Sequence, residues 1–273
     1  VNGEKTPTTA SPRILIGTSG YSYQDWVGPF YPPGTDKRDF LAYYASRYPF
    51  TELNFSYYRQ PSAHTSAGMV ARTPEGFQFS VKMHQSVTHE RTDSWKREVH
   101  AFAEGVEPFR ANGRLAGVLL QFPFSFHYRP ENRHYLAHVC DELACLPLFV
   151  EFRNVEWQKR QVYEGLAQRG VGLVVVDAPD LKGLPEPEVL ATAEAAYLRF
   201  HGRNRGSWWT GDNATRYDYR YTADELADWV EPVRLLAEKT RLLLVAFNNH
   251  PNANAAFNAD ELRLMLVEQG ILR

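Results

Sequence analysis

The sequence predicts a single (β/α)8 barrel of the TIM type, an α/β fold occupying residues 13–273. Two observations predict it. Eight short apolar runs each stop at a polar residue, and most of them are separated by a stretch long enough for a helix. Strands alternating with helices imply a parallel sheet. Eight such units in roughly 250 residues are what a closed barrel of this kind requires. Its strand C-termini converge on one mouth, so the polar stops would share one site.

The elements follow in order. Ile14-Leu15-Ile16 stops at Gly17-Thr18-Ser19. Asp36 can cap a helix running through Tyr48, with Asp39 in the first turn favoured by the helix dipole. Thr51-Glu52-Leu53 stops at Asn54, and Phe77 to Val81 stops at Lys82. Val99, Phe102, Val106 and Phe109 form a helical stripe, which Pro108 should kink or shorten. Val118-Leu119-Leu120 leads to Gln121, and Leu148-Phe149-Val150 to Glu151. Leu173 to Val176 leads to Asp177, after which Pro179, Pro185 and Pro187 leave little room for a full helix. Tyr197-Leu198 leads to Arg199 and His201. Thr222 and Glu225 form a capping-box pattern before Leu226, Trp229, Val230 and Val233, with Pro232 marking a place for a break. Leu242 to Phe247 closes the series at Asn248 and Asn249.

The chain has 273 residues, 44% hydrophobic and 14% aromatic, enough to fill a substantial core. A net charge of −2 gives no general attraction to nucleic acid or anionic membrane, although a local basic patch would not show in that total. No apolar run approaches the roughly 20 residues of a membrane span, so no membrane partner is expected. Residues 1–12 are polar and Thr-rich and read as a disordered lead without a signal peptide. The two cysteines, Cys140 and Cys145, cannot build a disulfide framework, which fits a cytoplasmic protein with reduced thiols. The sequence leaves the oligomeric state open.

Several ordered motifs resemble a known family. Gly17-Thr18-Ser19-Gly20-Tyr21-Ser22-Tyr23 with Trp26 and Phe30-Tyr31-Pro32 is similar to the opening signature of the DUF72, or YecE-like, proteins. Glu52-Leu53-Asn54 with Tyr57-Tyr58-Arg59, Phe79 to Lys82 with Thr88-His89, and Leu120 to Pro123 continue the likeness. So do Glu151-Phe152-Arg153 with Trp157, Asp177, Leu198 to Arg203, and Phe247 to His250 with Asn258-Ala259. The resemblance spans the chain from Ile14 and implies a TIM-like barrel whose matching polar residues gather at one end. It implies no known reaction; the suggested likeness to endonuclease IV-like and sugar isomerase-like barrels is analogy at fold level. Two departures are Tyr21, where the family often has Trp, and Pro251-Asn252-Ala253-Asn254, which lacks a glycine common there.

The polar stops nominate the site. Glu151 and Asp177 could act as general acid and base, with His201 beside them. Arg199 shares a strand face with His201, and Glu151 with Arg153. Arg199 either clamps a phosphate or carboxylate, or pairs with Glu151 or Asp177 and stiffens the mouth. Lys82, with His84 on the same face, is a Schiff-base nucleophile or, as the more ordinary reading, a donor to Glu52 or to ligand. Asn54, Gln121, Asn248, Asn249 and His250 offer uncharged hydrogen-bonding groups, and Tyr57 a wall. Because neighbours on a strand face opposite ways, only one of Asn248 and Asn249 can line the barrel, and the other should brace a loop. The rings of Tyr21 to Trp26 and of Trp208-Trp209 either cover a core edge or form a stacking wall.

No Walker, dinucleotide or nucleophile-elbow pattern is present, so no cofactor is evident. Glu151 and Asp177 with His201 or His250 could hold a divalent metal, but no His-x-Glu or His-Glu-x-x-His pattern occurs and that reading is not favoured. The preferred function is therefore an enzyme using acid-base chemistry on a phosphate- or carboxylate-bearing small molecule. The alternatives are a nucleic-acid-binding barrel gripping a strand with Trp208, Trp209, Arg203 and Arg205, and a non-catalytic small-molecule binder.

Overall fold

The computed structural model describes residues 12–272, so the expected lead falls outside the described residues but for Pro12. Eight parallel strands close in sequence order, β1-β2-β3-β4-β5-β6-β7-β8, with β1 paired to both β2 and β8. The strands are β1 Arg13–Ser19, β2 Phe50–Leu53, β3 Gln78–Lys82, β4 Leu115–Gln121, β5 Leu148–Glu151, β6 Gly172–Asp177, β7 Ala195–Phe200 and β8 Leu242–Phe247. Between them come α1 Phe40–Arg47, the short turn α2 Phe55–Tyr58 at the mouth, α3 Ala63–Ala71, α4 Trp95–Ala111, α5 Pro130–Glu142 and α6 Arg160–Gln168. The set is completed by the short α7 Asn213–Arg216, then α8 Ala223–Ala227, α9 Val230–Lys239 and α10 Asn254–Glu268.

Local chemistry explains these boundaries. Asp36 accepts the Arg38 N–H and caps a 3₁₀ turn that leads into α1. The α4 stripe Val99, Phe102, Val106 and Phe109 is buried, and the helix continues past Pro108 to Ala111 rather than ending there. Pro108 has no N–H for the Glu104 carbonyl one turn back, yet the helix runs through it to Ala111. The Thr222–Glu225 capping box opens α8, and the chain breaks before Pro232. Pro232 thereby falls in the first turn of α9, where its missing N–H has no intrahelical partner to forfeit. As the prolines require, no helix forms between β6 and β7.

Two apolar clusters hold the barrel. The larger lies between strands and helices, and includes Leu173, Val175, Leu198 and Phe247. The smaller fills the barrel itself with Leu15, Phe50, Ala116, Leu119, Phe149, Val174, Val176, Tyr197, Leu244 and Ala246. Gly117 and Gly172 flank the Phe149 ring, and a Cβ on either would come within 2.5 Å of it. The interior is thus a solid plug at its lower end. Polar residues begin directly above it.

Candidate functional site

The residues above the plug are set by strand parity. Tyr197 points inward, so Arg199 and His201, two and four residues on, do the same. Phe50 and Phe149 likewise bring Glu52 and Glu151 inward. The Arg199 guanidinium spans both carboxylates, donating to Glu52 Oε1 at 2.6 Å and to Glu151 Oε2. Tyr197 Oη donates to the other Glu52 oxygen at 2.5 Å. Arg153 Nε donates to Glu151 Oε1 at 2.5 Å. Asn248 donates to His201 Nδ1 at 3.0 Å, and His201 Nε2 lies 3.2 Å from Glu151 Oε1. Glu52, Glu151 and His201 are fully buried.

Over this layer opens a cavity of about 1040 Å³. Asn54, Tyr57, Lys82, Gln121, Arg153, Arg199, Asn248 and His250 line it, all of them expected site residues. Lys82 closes β3, donates to Gln121 Oε1 at 2.7 Å and lies 4.5 Å from the centre of the Tyr57 ring. Its acceptor is Gln121 and not the Glu52 that the sequence suggested. Burial, reinforced by the Arg199 charge, brings the Lys82 ammonium down to about 7. His250 stacks flat on Tyr23 at 4.4 Å, while its carbonyl accepts the Trp26 indole N–H at 2.7 Å.

The three expected catalytic residues are not among the lining. Burial alone would raise the Glu151 carboxyl, but Arg153, Arg199 and His201 overrule it and hold it well below the usual range. It is a fixed anion beneath the floor, occupied on both oxygens. Burial and the Arg153 charge lower His201 to about 3, so it stays a neutral brace. Asp177 requires a correction. It follows inward-facing Val176 and therefore points outward, where Tyr221 Oη, Trp229 Nε1 and Arg203 donate to it. The barrel wall lies between it and inward-facing Glu151, so the two do not form an acid-base pair. Arg199 pairs with Glu151 and Glu52, not with Asp177.

Asn249 braces as one of the two asparagines must, donating to Tyr219 O and to Asn258 Oδ1, each at 2.9 Å. His84 bonds Ser86 Oγ at 2.8 Å and is absent from the lining, because β3 ends at Lys82. The aromatic loops split between their two readings. Trp26 and Trp208 are buried, whereas Trp209 is half exposed and stands edge-on to Phe124 at 4.9 Å. Arg203 is held by Asp177 and Glu225, and Arg205 lies 3.7 Å from Asp180.

Sequence reasoning missed several lining residues: Glu52, Lys37, Arg59, His89, Arg216 and Tyr217. Glu52 had a signal, a lone carboxylate inside an apolar strand. His89 stood in a family-like motif and is presented by a π-helical turn, Ser86–Glu90. Burial and the nearby Lys82 charge bring it down to about 4. Arg216 and Tyr217 arrive on the long segment after β7 and had none. Among the described residues, no three His, Cys, Asp or Glu side chains stand where they could hold a metal ion. Among the same residues no helix is long and apolar enough to cross a membrane.

Fold and site together define an α/β barrel protein with a large cavity of cationic and aromatic side chains at the strand C-termini. The model of the family described as "Protein of unknown function DUF72" matches residues 15–272, and the chain belongs to that family. The UPF0759 protein YunF of Bacillus subtilis (strain 168) is 35% identical over 269 residues, spanning 93% of this chain and 94% of that one. A solved DUF72 family protein from Thermotoga maritima MSB8 is 38% identical with a TM-score of 0.87, covering 93% of this chain and 99% of its own. Another from Enterococcus faecalis V583 is 28% identical with a TM-score of 0.84, covering 93% and 95%.

Proposed function

We propose that the chain is an enzyme acting on a small molecule that carries a phosphate or carboxylate group, bound in the cavity at the mouth of the barrel. One observation carries this reading. Six cationic side chains line the cavity, Lys37, Arg59, Lys82, Arg153, Arg199 and Arg216, against a single carboxylate, Glu52. Even after Glu151 below the floor is counted, cations prevail, and a low-dielectric cavity amplifies that excess. Guanidinium groups suit the planar oxygens of carboxylate and phosphate. Asn54 and Asn248 supply neutral groups to orient the remainder of the ligand, and Tyr57 and Tyr217 supply flat walls. Lys82 is the lining group whose charge answers to pH near neutrality, which suits it to a step in the reaction.

Sulfate, whose charge is constant between pH 6 and 9, tests the reading by calorimetric titration. It should bind wild-type protein more tightly at pH 6 than at pH 8.5, because the Lys82 ammonium loses its proton as pH rises through about 7. Arg153→Met should weaken binding by about tenfold, the worth of one charged hydrogen bond. Lys82→Met should remove the pH dependence. Sulfate that fails to bind at either pH overturns the proposal. Binding of single-stranded oligonucleotides that collapses with added salt would favour the nucleic-acid alternative instead.

A further inference from the structure

We propose that Lys82 is a covalent nucleophile, forming an imine with a carbonyl carbon of the anionic ligand, so that the substrate class is an oxo acid or a phosphorylated aldehyde or ketone. This rests on the anion-binding reading above and names the chemistry of the same cavity. Lys82 ends an inward-facing strand position, on the wall of a cavity large enough for a whole metabolite. Its nitrogen is held by one neutral acceptor, Gln121 Oε1 at 2.7 Å, and by the face of Tyr57. Neither partner is an anion that would lock it as a cation. The carboxylates nearby are already taken: Glu52 by Arg199 and Tyr197, and Glu151 by Arg153 and Arg199.

The charged groups facing Lys82 are Arg199 and Arg153, which disfavour its proton, and Glu52 and Glu151, which favour it. Burial joins the first pair and prevails, so a large neutral fraction exists at neutral pH. An unprotonated amine beside guanidinium groups is the arrangement that imine formation needs. The guanidiniums that line the cavity beyond that sealed ion cluster, Arg59 and Arg216, with the outer part of Arg153, hold the ligand's anionic end, and the free electron pair attacks its carbonyl. A C–N bond forms as the C=O π pair moves to oxygen, and a proton passes from nitrogen to that oxygen. The resulting hydroxyl takes one further proton from solvent and leaves as water, breaking the C–O bond. The product is a protonated imine, an electron sink for breaking or deprotonating an adjacent carbon bond. No oxidant or reductant enters.

The test is reductive trapping on the full chain. Glyoxylate, pyruvate or pyridoxal 5′-phosphate is added in turn with cyanoborohydride, and each lysine-bearing peptide is quantified by mass spectrometry. At least one probe should label Lys82 at least about tenfold faster than any other lysine, given its larger neutral fraction at pH 7. Saturating sulfate should suppress that label, and Lys82→Arg should abolish it while melting within a few degrees of wild type. If Lys82→Arg does not fold, Lys82→Met serves: it removes the amine, and the probe adduct should be lost from the folded protein. Uniform labelling of all lysines, or none at Lys82 with any of the three probes, overturns the proposal. Sulfate binding without a Lys82 adduct would sink the nucleophile and leave the anion site standing. A Lys82 adduct indifferent to sulfate would keep the nucleophile and sink the anion site.

Discussion

Two carboxylate-arginine clusters stand at the same rim of this barrel, a few residues apart in the sheet, and they serve different ends. Inside, Arg199 bridges Glu52 and Glu151 over the apolar plug. Outside, Arg203 meets Asp177 between the strands and the segment around α8 and α9. The inner cluster is sealed: Arg199 is 1% exposed. The outer one is open on the arginine side, with the Arg203 side chain 32% exposed. The inner carboxylates share one cation, Arg199, and each has a further donor, Tyr197 on Glu52 and Arg153 on Glu151. Asp177 has two further neutral donors in Tyr221 and Trp229. The same pairing chemistry is therefore a floor for a cavity in one place and a rivet for a loop in the other.

The largest expected effect separates the two directly. Arg199→Met takes the shared cation from two fully buried carboxylates and should cost about 3–5 kcal/mol, as breaking a buried pair does. Arg203→Met leaves Asp177 with two donors and should cost only about 1–2 kcal/mol. Urea denaturation of both variants measures the gap, and equal losses would erase the distinction between floor and rivet.

Lys82→Met sharpens the inner side with an effect of opposite sign. The folded protein binds the Lys82 proton more weakly than the unfolded chain does, its value falling from 10.5 to about 7. Stability from this group therefore rises with pH between those values, and its full cost is present at pH 7 and below. Removing the amine should stabilise the fold by about 2 kcal/mol at pH 6.5, net of its lost contacts, or a melting point higher by about 4–6 °C. That advantage should shrink steadily toward pH 10 in thermal melts across a pH series. A gain that does not vary with pH would mean that the buried charge is not its source.

The smallest effect lies outside. Tyr221→Phe removes one donor from Asp177 and should cost about 1 kcal/mol. Sulfate affinity should stay unchanged, because Asp177 and Tyr221 are absent from the cavity lining. A calorimetric change beyond a factor of two would tie the rivet to the floor after all.

The sequence made the barrel legible because polar stops interrupt apolar runs at each strand end, a pattern with period and order. The prolines at 179, 185 and 187 and at 232 told correctly where helices fail or break. Which face each stop occupied was harder. On β7, Arg199 and His201 alternate with Leu198 and Phe200, so parity could be read directly. On β6, Val174, Val175 and Val176 are buried on both faces, and a uniform valine run carries no parity at all. For that reason the sequence alone puts Asp177 at the mouth, on the wrong side of the wall. Arg216 and Tyr217 escaped because they reach the cavity from a long segment whose path no local pattern dictates. The loop after β8, lacking the usual glycine, still turns through left-handed Asn252 and Ala253. Asp25 secures it by accepting the Asn252 N–H at 2.8 Å.

The apolar plug has a consequence for traffic. Phe149 wedged between Gly117 and Gly172, with Tyr197 and Phe50 beside it, stops the barrel like a cork, so the cavity is a cul-de-sac. Whatever enters must back out along the path by which it came. Entry and exit share that one mouth, so an occupant that leaves slowly delays its successor.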